Sequence, residues 1–165
     1  MNILEIGSGN FRSKNASVAT DIKRYKDIDM VCDAHFLPFK NDSFDSVLMF
    51  EVLEHVESPI RVIREIRRVL EDKGILVFSF PNVYYFRHIL KWIFKGKASS
   101  VSKEHISSWS LAESTNLLNL NGFAIVHHEL LDYQRHNKSS KIANLLPRIT
   151  KHSLRIIAEV NKNVM

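Results

Sequence analysis

The fold of this chain is decided by the stretch ILEIGSGN, residues 3–10. Its first four residues have the character of a buried strand, and two glycines follow where that strand ends. Glycines at the carboxyl end of a strand let the backbone approach a ligand closely and adopt conformations that other residues avoid. The stretch lacks the third glycine of the fingerprint G-x-G-x-x-G, which disfavours a nicotinamide oxidoreductase.

Further apolar runs predict more strands of the same sheet. Strands are expected at residues 2–6, 17–21, 29–33, 46–50, 75–80 and 123–131. Residues 154–160 form either a last strand or a helix. Runs that are apolar on both faces are typical of a parallel sheet covered by helices. Within residues 123–131, alternation predicts that one of His127 and His128 faces in and the other faces out.

Two amphipathic segments predict helices between these strands. The first follows Ser58-Pro59, a capping residue with proline at the first helical position, and Gly74 is expected to end it. Its apolar stripe consists of Ile60, Ile63, Ile66, Val69 and Leu70. The second helix runs from about Ser110 to Asn121, and Gly122 is its stop. Its apolar set is Leu111, Leu117, Leu118 and Leu120.

The alternation of strands and helices indicates an α/β fold with a mostly parallel, seven-stranded Rossmann-like sheet flanked by helices. Residues 7–16 and 22–28 are too few to hold full crossover helices, so the first helices are expected to be shortened or missing. Strands two and three would then lack cover on one sheet face. Either the tail or a second copy of the chain could supply it, and we expect a homodimer through strand two or three.

Composition indicates one globular domain spanning residues 1–165. Hydrophobic residues make up 45% and charged residues 25%, with a net charge of +5. The single cysteine, Cys32, is expected to be a small hydrophobic residue of a strand, and a reducing cytoplasm is the natural compartment. The basic residues are dispersed rather than clustered, so no nucleic-acid partner is expected.

Acidic residues mark the ends of the next two strands. Asp21 closes the second strand, where a carboxylate can accept both hydroxyls of a ribose, and Asp33 closes the third, where it could bind an adenine amino group. Asp45 opens the fourth strand. For a single aspartate, a turn or helix cap is the simpler interpretation. A glycine pair followed by two strand-end acids in this order favours a ligand.

These features resemble the class I S-adenosylmethionine-dependent methyltransferases, especially their small-molecule branch of methyltransferase type 11-like proteins. The resemblance rests on LEIGSGN, on Asp21, and on the stretches DAHFLPFKNDSFDSVLMFEVLEHV and RVLEDKGILVFSFPN. It covers most of residues 3–130. It implies an enzyme that transfers a methyl group from S-adenosylmethionine to a small-molecule acceptor by in-line displacement.

The resemblance also implies ten cofactor-binding residues, namely Glu5, Gly7, Ser8, Gly9, Asp21, Ile22, Asp33, Ala34, Phe50 and Glu51. Among them, Asp21 would hold the ribose hydroxyls, Asp33 would meet the adenine edge, and Glu51 would face the sulfonium and the substrate. His55 and His105 are the best-placed general bases, although each could instead be a structural histidine that caps a helix or binds a carbonyl.

Glu51, Glu54 and His55 form the spacing E-x-x-E-H, which is similar to a divalent-metal site in some quinone and RNA-end methyltransferases. The same sequence occurs in relatives that have no metal, so no metal is expected.

Residues 83–103 interleave aromatic and basic residues at helical spacing, which predicts an amphipathic cap after strand five. A basic face in water is the favoured interpretation, and docking to a membrane surface is the alternative. Residues 132–165 are predicted to form a tail that ends in the last strand.

Two other functions stay open. The chain could be a non-catalytic cofactor-binding subunit whose missing helices come from a partner. A nucleic-acid methyltransferase is disfavoured, because Phe50 to Leu53 stand where base-amino methyltransferases carry an Asn/Asp-Pro-Pro-Tyr motif.

Overall fold

One seven-stranded sheet organises the structure, a computed structural model that describes residues 1–85, 90, 93–94, 104–131 and 152–161. The predicted cap at 83–103 lies largely outside these residues, and so do residues 132–151 and 162–165 of the predicted tail at 132–165. The strands in chain order are β1 (Ile3–Ile6), β2 (Val18–Asp21), β3 (Met30–Val31), β4 (Phe44–Phe50), β5 (Leu70–Pro81), β6 (Phe123–Leu131) and β7 (Ser153–Val160).

The strands lie in the order β3-β2-β1-β4-β5-β7-β6. The pairs among β1 to β5 are parallel, whereas β7 is antiparallel to both β5 and β6. The predicted mostly parallel, seven-stranded Rossmann-like sheet is therefore confirmed. Residues 153–160 form its last strand rather than a helix.

The connections on either side of β2 contain no helix, as their length predicted. Carboxylates hold them instead. Asp29 accepts a hydrogen bond of 2.8 Å from the Ala19 N–H and pairs with Arg12 at 2.9 Å. The Arg12 guanidinium also donates to the carbonyl of Ala16. These contacts fix the loops against the edge of the sheet without a crossover helix.

Two helices are described in full, α1 (Pro59–Val69) and α2 (Leu111–Asn119), together with a single 3₁₀ turn at Leu53–His55. Helix α1 begins on Pro59, as predicted, but the Ser58 side chain makes no capping hydrogen bond. The buried face of α1 consists of Val62, Ile63, Ile66 and Val69.

The predicted stripe of α1 was wrong at its first residue, whereas its last residue is buried as predicted but lies beyond the helix. Ile60 lies in the first turn of α1 and is 46% exposed. Leu70 is the first residue of β5. The left-handed residue of the following turn is Lys73, with φ of 60°, and not Gly74. Gly74 is needed for close approach, since an added Cβ would lie 2.9 Å from the Glu71 carbonyl oxygen.

Helix α2 begins with a capping box. The Glu113 N–H donates to Ser110 Oγ at 3.3 Å, and the Ser110 N–H donates to the Glu113 carboxylate at 2.8 Å. Leu117 and Leu118 are buried, as predicted, but Leu120 is 83% exposed because the helix has ended before it. Gly122, with φ of 77°, forms the stop.

The apolar core lies on one face of the sheet. Alternate strand residues such as Leu4, Val47 and Phe78 are fully buried in one cluster with residues of α1 and α2. The opposite face carries polar residues at the intervening positions, including Glu5, Ser79 and Ser153, which are also buried. These polar side chains therefore lie on the face opposite the apolar core, in register with apolar residues such as Leu48 and Val77.

His127 and His128 are both exposed, so the prediction that one of them faces the interior was wrong. The register of β6 against β7 shifts between Ile125 and His127, and this bulge interrupts the alternation. No helix among the described residues is long and apolar enough to cross a membrane.

Candidate functional site

A cavity of about 680 Å³ opens at the edge of the sheet where β1, β2, β3 and β4 end. Its size suits a small-molecule ligand. Of the residues predicted from the sequence, it is lined by Gly7, Gly9, Asp21, Ile22, Asp33, Ala34, Glu51 and His55. The parallel strands bring these residues together although they are spread over about fifty positions of the chain.

The two glycines of the loop after β1 have different roles. Both are left-handed, with φ of 72° at Gly7 and 54° at Gly9. At Gly7 an added Cβ would lie 2.2 Å from a methyl carbon of Val52, so the position has no room for a side chain. At Gly9 an added Cβ meets nothing within 4 Å. Gly9 therefore presents bare backbone to open space at the cavity.

Asp21 holds this loop against the end of β2. One carboxylate oxygen accepts from the Gly9 N–H at 3.0 Å, and the other accepts from the Lys23 N–H at 2.9 Å. Each oxygen keeps a second acceptor site, so the carboxylate can still bind ligand hydroxyls. The same side chain thus orders the glycine loop and lines the cavity.

Asp33 begins a chain of hydrogen bonds that ends at α1. Its carboxylate accepts from the backbone N–H of His35 at 2.9 Å and contacts His35 Nδ1 at 2.6 Å. His35 Nε2 accepts from the Ser58 N–H at 3.1 Å, so the hydrogen of the neutral ring lies on Nδ1. The backbone hydrogen bond from His35 lowers the pKa of Asp33 and favours its charged form.

Four predicted residues do not line the cavity. Glu5 is buried behind the loop, and its carboxylate accepts from the Ser13 N–H at 2.8 Å. Burial raises the pKa of Glu5, and the Ser13 hydrogen bond partly offsets this effect. Ser8 is buried with its hydroxyl towards the Thr20 carbonyl, and Phe50 is the last residue of β4. His105 lies against His55, with their ring centroids 4.6 Å apart.

A carboxylate and two imidazoles meet beside the cavity. One nitrogen or oxygen atom from each of Glu54, His55 and His105 lies within 4.8 Å of the other two. Among the described residues, this is the one group of three His, Cys, Asp or Glu side chains close enough together to hold a metal ion. Glu54 is 1% exposed, and no described residue donates a hydrogen bond to either carboxylate oxygen. Burial, with a smaller contribution from the charge of Glu51, raises the pKa of Glu54 to about 8.

The two histidines differ in their surroundings. His55 Nδ1 lies 3.1 Å from the Glu104 carbonyl oxygen, which can only accept, so Nδ1 carries the hydrogen and Nε2 carries the lone pair. Burial and the neighbouring His55 lower the pKa of His105. The arrangement therefore offers a neutral imidazole at neutral pH that can accept a proton.

Several residues that line the cavity were not predicted from the sequence, including Tyr25, His35, Val52, Glu104 and Ile106. His35 could have been found, because the spacing D-A-H lets an imidazole reach back to the aspartate. Nothing in the sequence singles out the others as ligand contacts.

The comparisons with known proteins agree on one kind of protein. A family described as methyltransferase domain matches residues 1–128. An uncharacterised protein of Methanocaldococcus jannaschii is 37% identical over 113 residues, which make up 60% of this chain and 44% of that protein. A demethylmenaquinone methyltransferase of Thermotoga maritima is 41% identical over 100 residues, 54% of this chain and 43% of that protein. The chain thus spans less than half the length of these relatives.

Solved structures share the fold at low sequence identity. An S-adenosylmethionine-dependent methyltransferase from Thermotoga maritima aligns with a TM-score of 0.72 at 21% identity, covering 97% of this chain and 82% of that one. A complex from Haloferax volcanii between the Trm112 methyltransferase activator and a methyltransferase aligns with a TM-score of 0.68 at 17% identity, covering 97% and 82%.

The raised pKa of Glu54 predicts a stability that falls with pH. Below pH 4.5 both folded and unfolded chains hold the proton, whereas between 4.5 and about 8 only the folded chain does, so ionisation favours unfolding. From pH 5 to 8.5 the free energy of unfolding should fall by at most about 4 kcal/mol more in the wild type than in Glu54→Gln. Chemical denaturation across this range measures the difference. The exposed Glu57→Gln provides the control, and identical pH profiles for wild type and Glu54→Gln would contradict the prediction.

Proposed function

Because the chain belongs to the methyltransferase-domain family, which matches residues 1–128, we propose that it transfers a methyl group from S-adenosylmethionine to a small-molecule acceptor. The observation that carries the proposal is the cavity at the ends of β1 to β4. There a bare glycine backbone and two strand-end carboxylates, Asp21 and Asp33, surround one space.

The residues around this cavity fit the proposed cofactor. Open space at Gly9 leaves its backbone free to approach a ligand, and Asp21 keeps acceptor sites for the two ribose hydroxyls. Asp33, ionised and hydrogen-bonded to His35, is an acceptor for an adenine amino group, and Ala34 and Ile22 add apolar surface to the cavity. When bound, S-adenosylmethionine supplies a methyl group on a positively charged sulfur.

The proposed general base is the pair His55 and His105. His55 lines the cavity, and its lone pair is on Nε2, since Nδ1 faces the Glu104 carbonyl. His105 is held neutral by burial beside it. A neutral imidazole at this place can take a proton from an acceptor hydroxyl or amine as the methyl group arrives.

A small-molecule acceptor is favoured over a nucleic acid. The basic side chains are dispersed along the sequence, and the cavity has the size of a ligand pocket rather than of an open groove. One relative is named a demethylmenaquinone methyltransferase, which is consistent with an acceptor of low molecular mass.

The cofactor assignment predicts that Asp21→Ala weakens the binding of S-adenosylmethionine at least tenfold. The reason is the loss of charge-assisted hydrogen bonds, each worth roughly 1.5–3 kcal/mol. Calorimetry of wild type, Asp21→Ala and the exposed Asp72→Ala control measures the effect. Unchanged affinity in Asp21→Ala would remove this residue from the site, and no binding by folded wild type would favour a non-catalytic subunit.

We further expect that methyl transfer needs no metal ion. Glu51, the first member of E-x-x-E-H, directs one carboxylate oxygen to Ser79 and Ser153, and it is not part of the cluster of Glu54, His55 and His105. Transfer from radiolabelled S-adenosylmethionine should therefore persist in a chelator. Loss of transfer in chelator, with recovery on adding magnesium or manganese, would instead identify that cluster as a metal site.

The proposal includes a homodimer through the edge strand β3. Met30 and Val31 are 38% and 45% exposed, and Ile22 beside them is 67% exposed, an apolar edge with no crossover helix over it among the described residues. Light scattering at micromolar concentration should give twice the mass of one chain, and Val31→Lys should give one chain. A monomeric wild type would contradict the homodimer and favour a different partner chain. The Haloferax volcanii methyltransferase, whose fold is similar, is in a complex with its activator.

A further inference from the structure

Glu51 has a backbone conformation that needs an explanation. It follows β4 directly and has φ of 54°, in the left-handed region that residues other than glycine seldom adopt. Its N–H donates to the Ser79 carbonyl at 3.0 Å, which ties this turn to β5. Non-glycine residues held in this region are found where the surrounding structure fixes them, often at ligand sites. Glu51 also lines the cavity described above.

Two buried hydroxyl groups fix the side chain of Glu51. Ser79 Oγ and Ser153 Oγ each lie 2.7 Å from the same carboxylate oxygen, Oε1. Both serines are 0% exposed. Ser153 begins β7 and is 102 residues away in the chain, so the contact exists only because β7 lies next to β5. Ser153 Oγ also lies 2.9 Å from the Phe80 carbonyl oxygen, and an ionised Glu51 is the stronger acceptor for its single hydrogen.

The second carboxylate oxygen, Oε2, receives no hydrogen bond from a described residue. The charge of Glu51 nevertheless reaches its neighbours, since it adds to the raised pKa that burial gives Glu54 and partly offsets the lowered pKa of His105. One oxygen is thus held by the sheet, while the negative charge remains available at the side of the cavity where the histidines lie.

We propose that Ser79 and Ser153 are positioning residues that hold the Glu51 carboxylate against the positive sulfur of the cofactor. The inference rests on the proposed function and extends it to a residue pair that lies outside the cavity. S-adenosylmethionine carries a positive charge at its sulfur, whereas the demethylated product has a neutral sulfur in an otherwise identical molecule. A fixed carboxylate at this point therefore favours the methylated cofactor over the product.

Paired binding measurements test this positioning role. The affinities for S-adenosylmethionine and for its demethylated product are measured by calorimetry on the whole chain. The variants are Ser79→Ala, Ser153→Ala, the double variant and Glu51→Gln. Ser114→Ala is the matched control, because Ser114 is also 0% exposed but its hydroxyl donates to the Ser110 carbonyl in α2.

Each single serine variant should weaken S-adenosylmethionine binding by about 5–10-fold, since one hydrogen bond to a charged group is lost, and should leave product binding within about twofold. Glu51→Gln should lower the preference for the methylated cofactor even if a serine variant does not fold. The control should change neither affinity.

Equal losses for both ligands would overturn the inference, because a merely structural role does not distinguish a charged sulfur from a neutral one. Unchanged affinities in Glu51→Gln would overturn it too. If the folded wild type binds neither ligand, the proposed function fails together with the inference. If the wild type binds both ligands and no variant changes the preference for S-adenosylmethionine over its product, the inference fails while the proposed function stands.

Discussion

The parallel pairing of β1 with β2 on one side and β4 on the other is the constraint on which the site depends. Ile6 lies opposite Thr20 in β2 and opposite Met49 in β4. The residues that follow these three positions must therefore come out at the same edge of the sheet. The register alone brings the glycine loop, Asp21 and Glu51 to one cavity. The loops that follow these strands need only be short enough to leave the cavity open.

Side-chain carboxylates take over the structural work that crossover helices do in larger domains. Glu5 accepts from the Ser13 N–H, Asp21 accepts from the Gly9 N–H, and Asp29 accepts from the Ala19 N–H. Hydrogen bonds of this charge-assisted kind are worth roughly 1.5–3 kcal/mol each. Because Asp21 also lines the cavity, the scaffold and the site share a residue, and a change there affects both.

The sequence was informative where local patterns decide the structure. The apolar runs predicted six strands within a few residues and left the seventh open between a strand and a helix. The glycine pair, Asp21 and Asp33 were predicted to share one site, and all four line the cavity. The sequence also predicted that crossover helices would be absent beside β2, because a connection of ten residues cannot hold a full crossover helix.

The failures arose where contacts distant in the chain override the local pattern. Both His127 and His128 are exposed on β6, which the sheet order places at an edge, and the exposure of Leu120 depends on where α2 stops. The contact of Ser153 with Glu51 could not be predicted, since two residues 102 positions apart meet only after β7 has entered the sheet. The capping box of α2 is local, since Ser110 and Glu113 stand at the spacing S-x-x-E, yet it was not predicted.

The place of β7 in the sheet has a consequence for synthesis of the chain on the ribosome. β7 separates β5 from β6, so these two strands stand two strand spacings apart, roughly 10 Å, and cannot pair with each other. Until Val160 has left the exit tunnel, β5 presents an unpaired edge and β6 has no neighbour. Unpaired strand edges recruit other chains, so the nascent protein is most vulnerable to aggregation just before its last strand emerges. Completion of the sheet and completion of the Glu51 contacts are then the same late event.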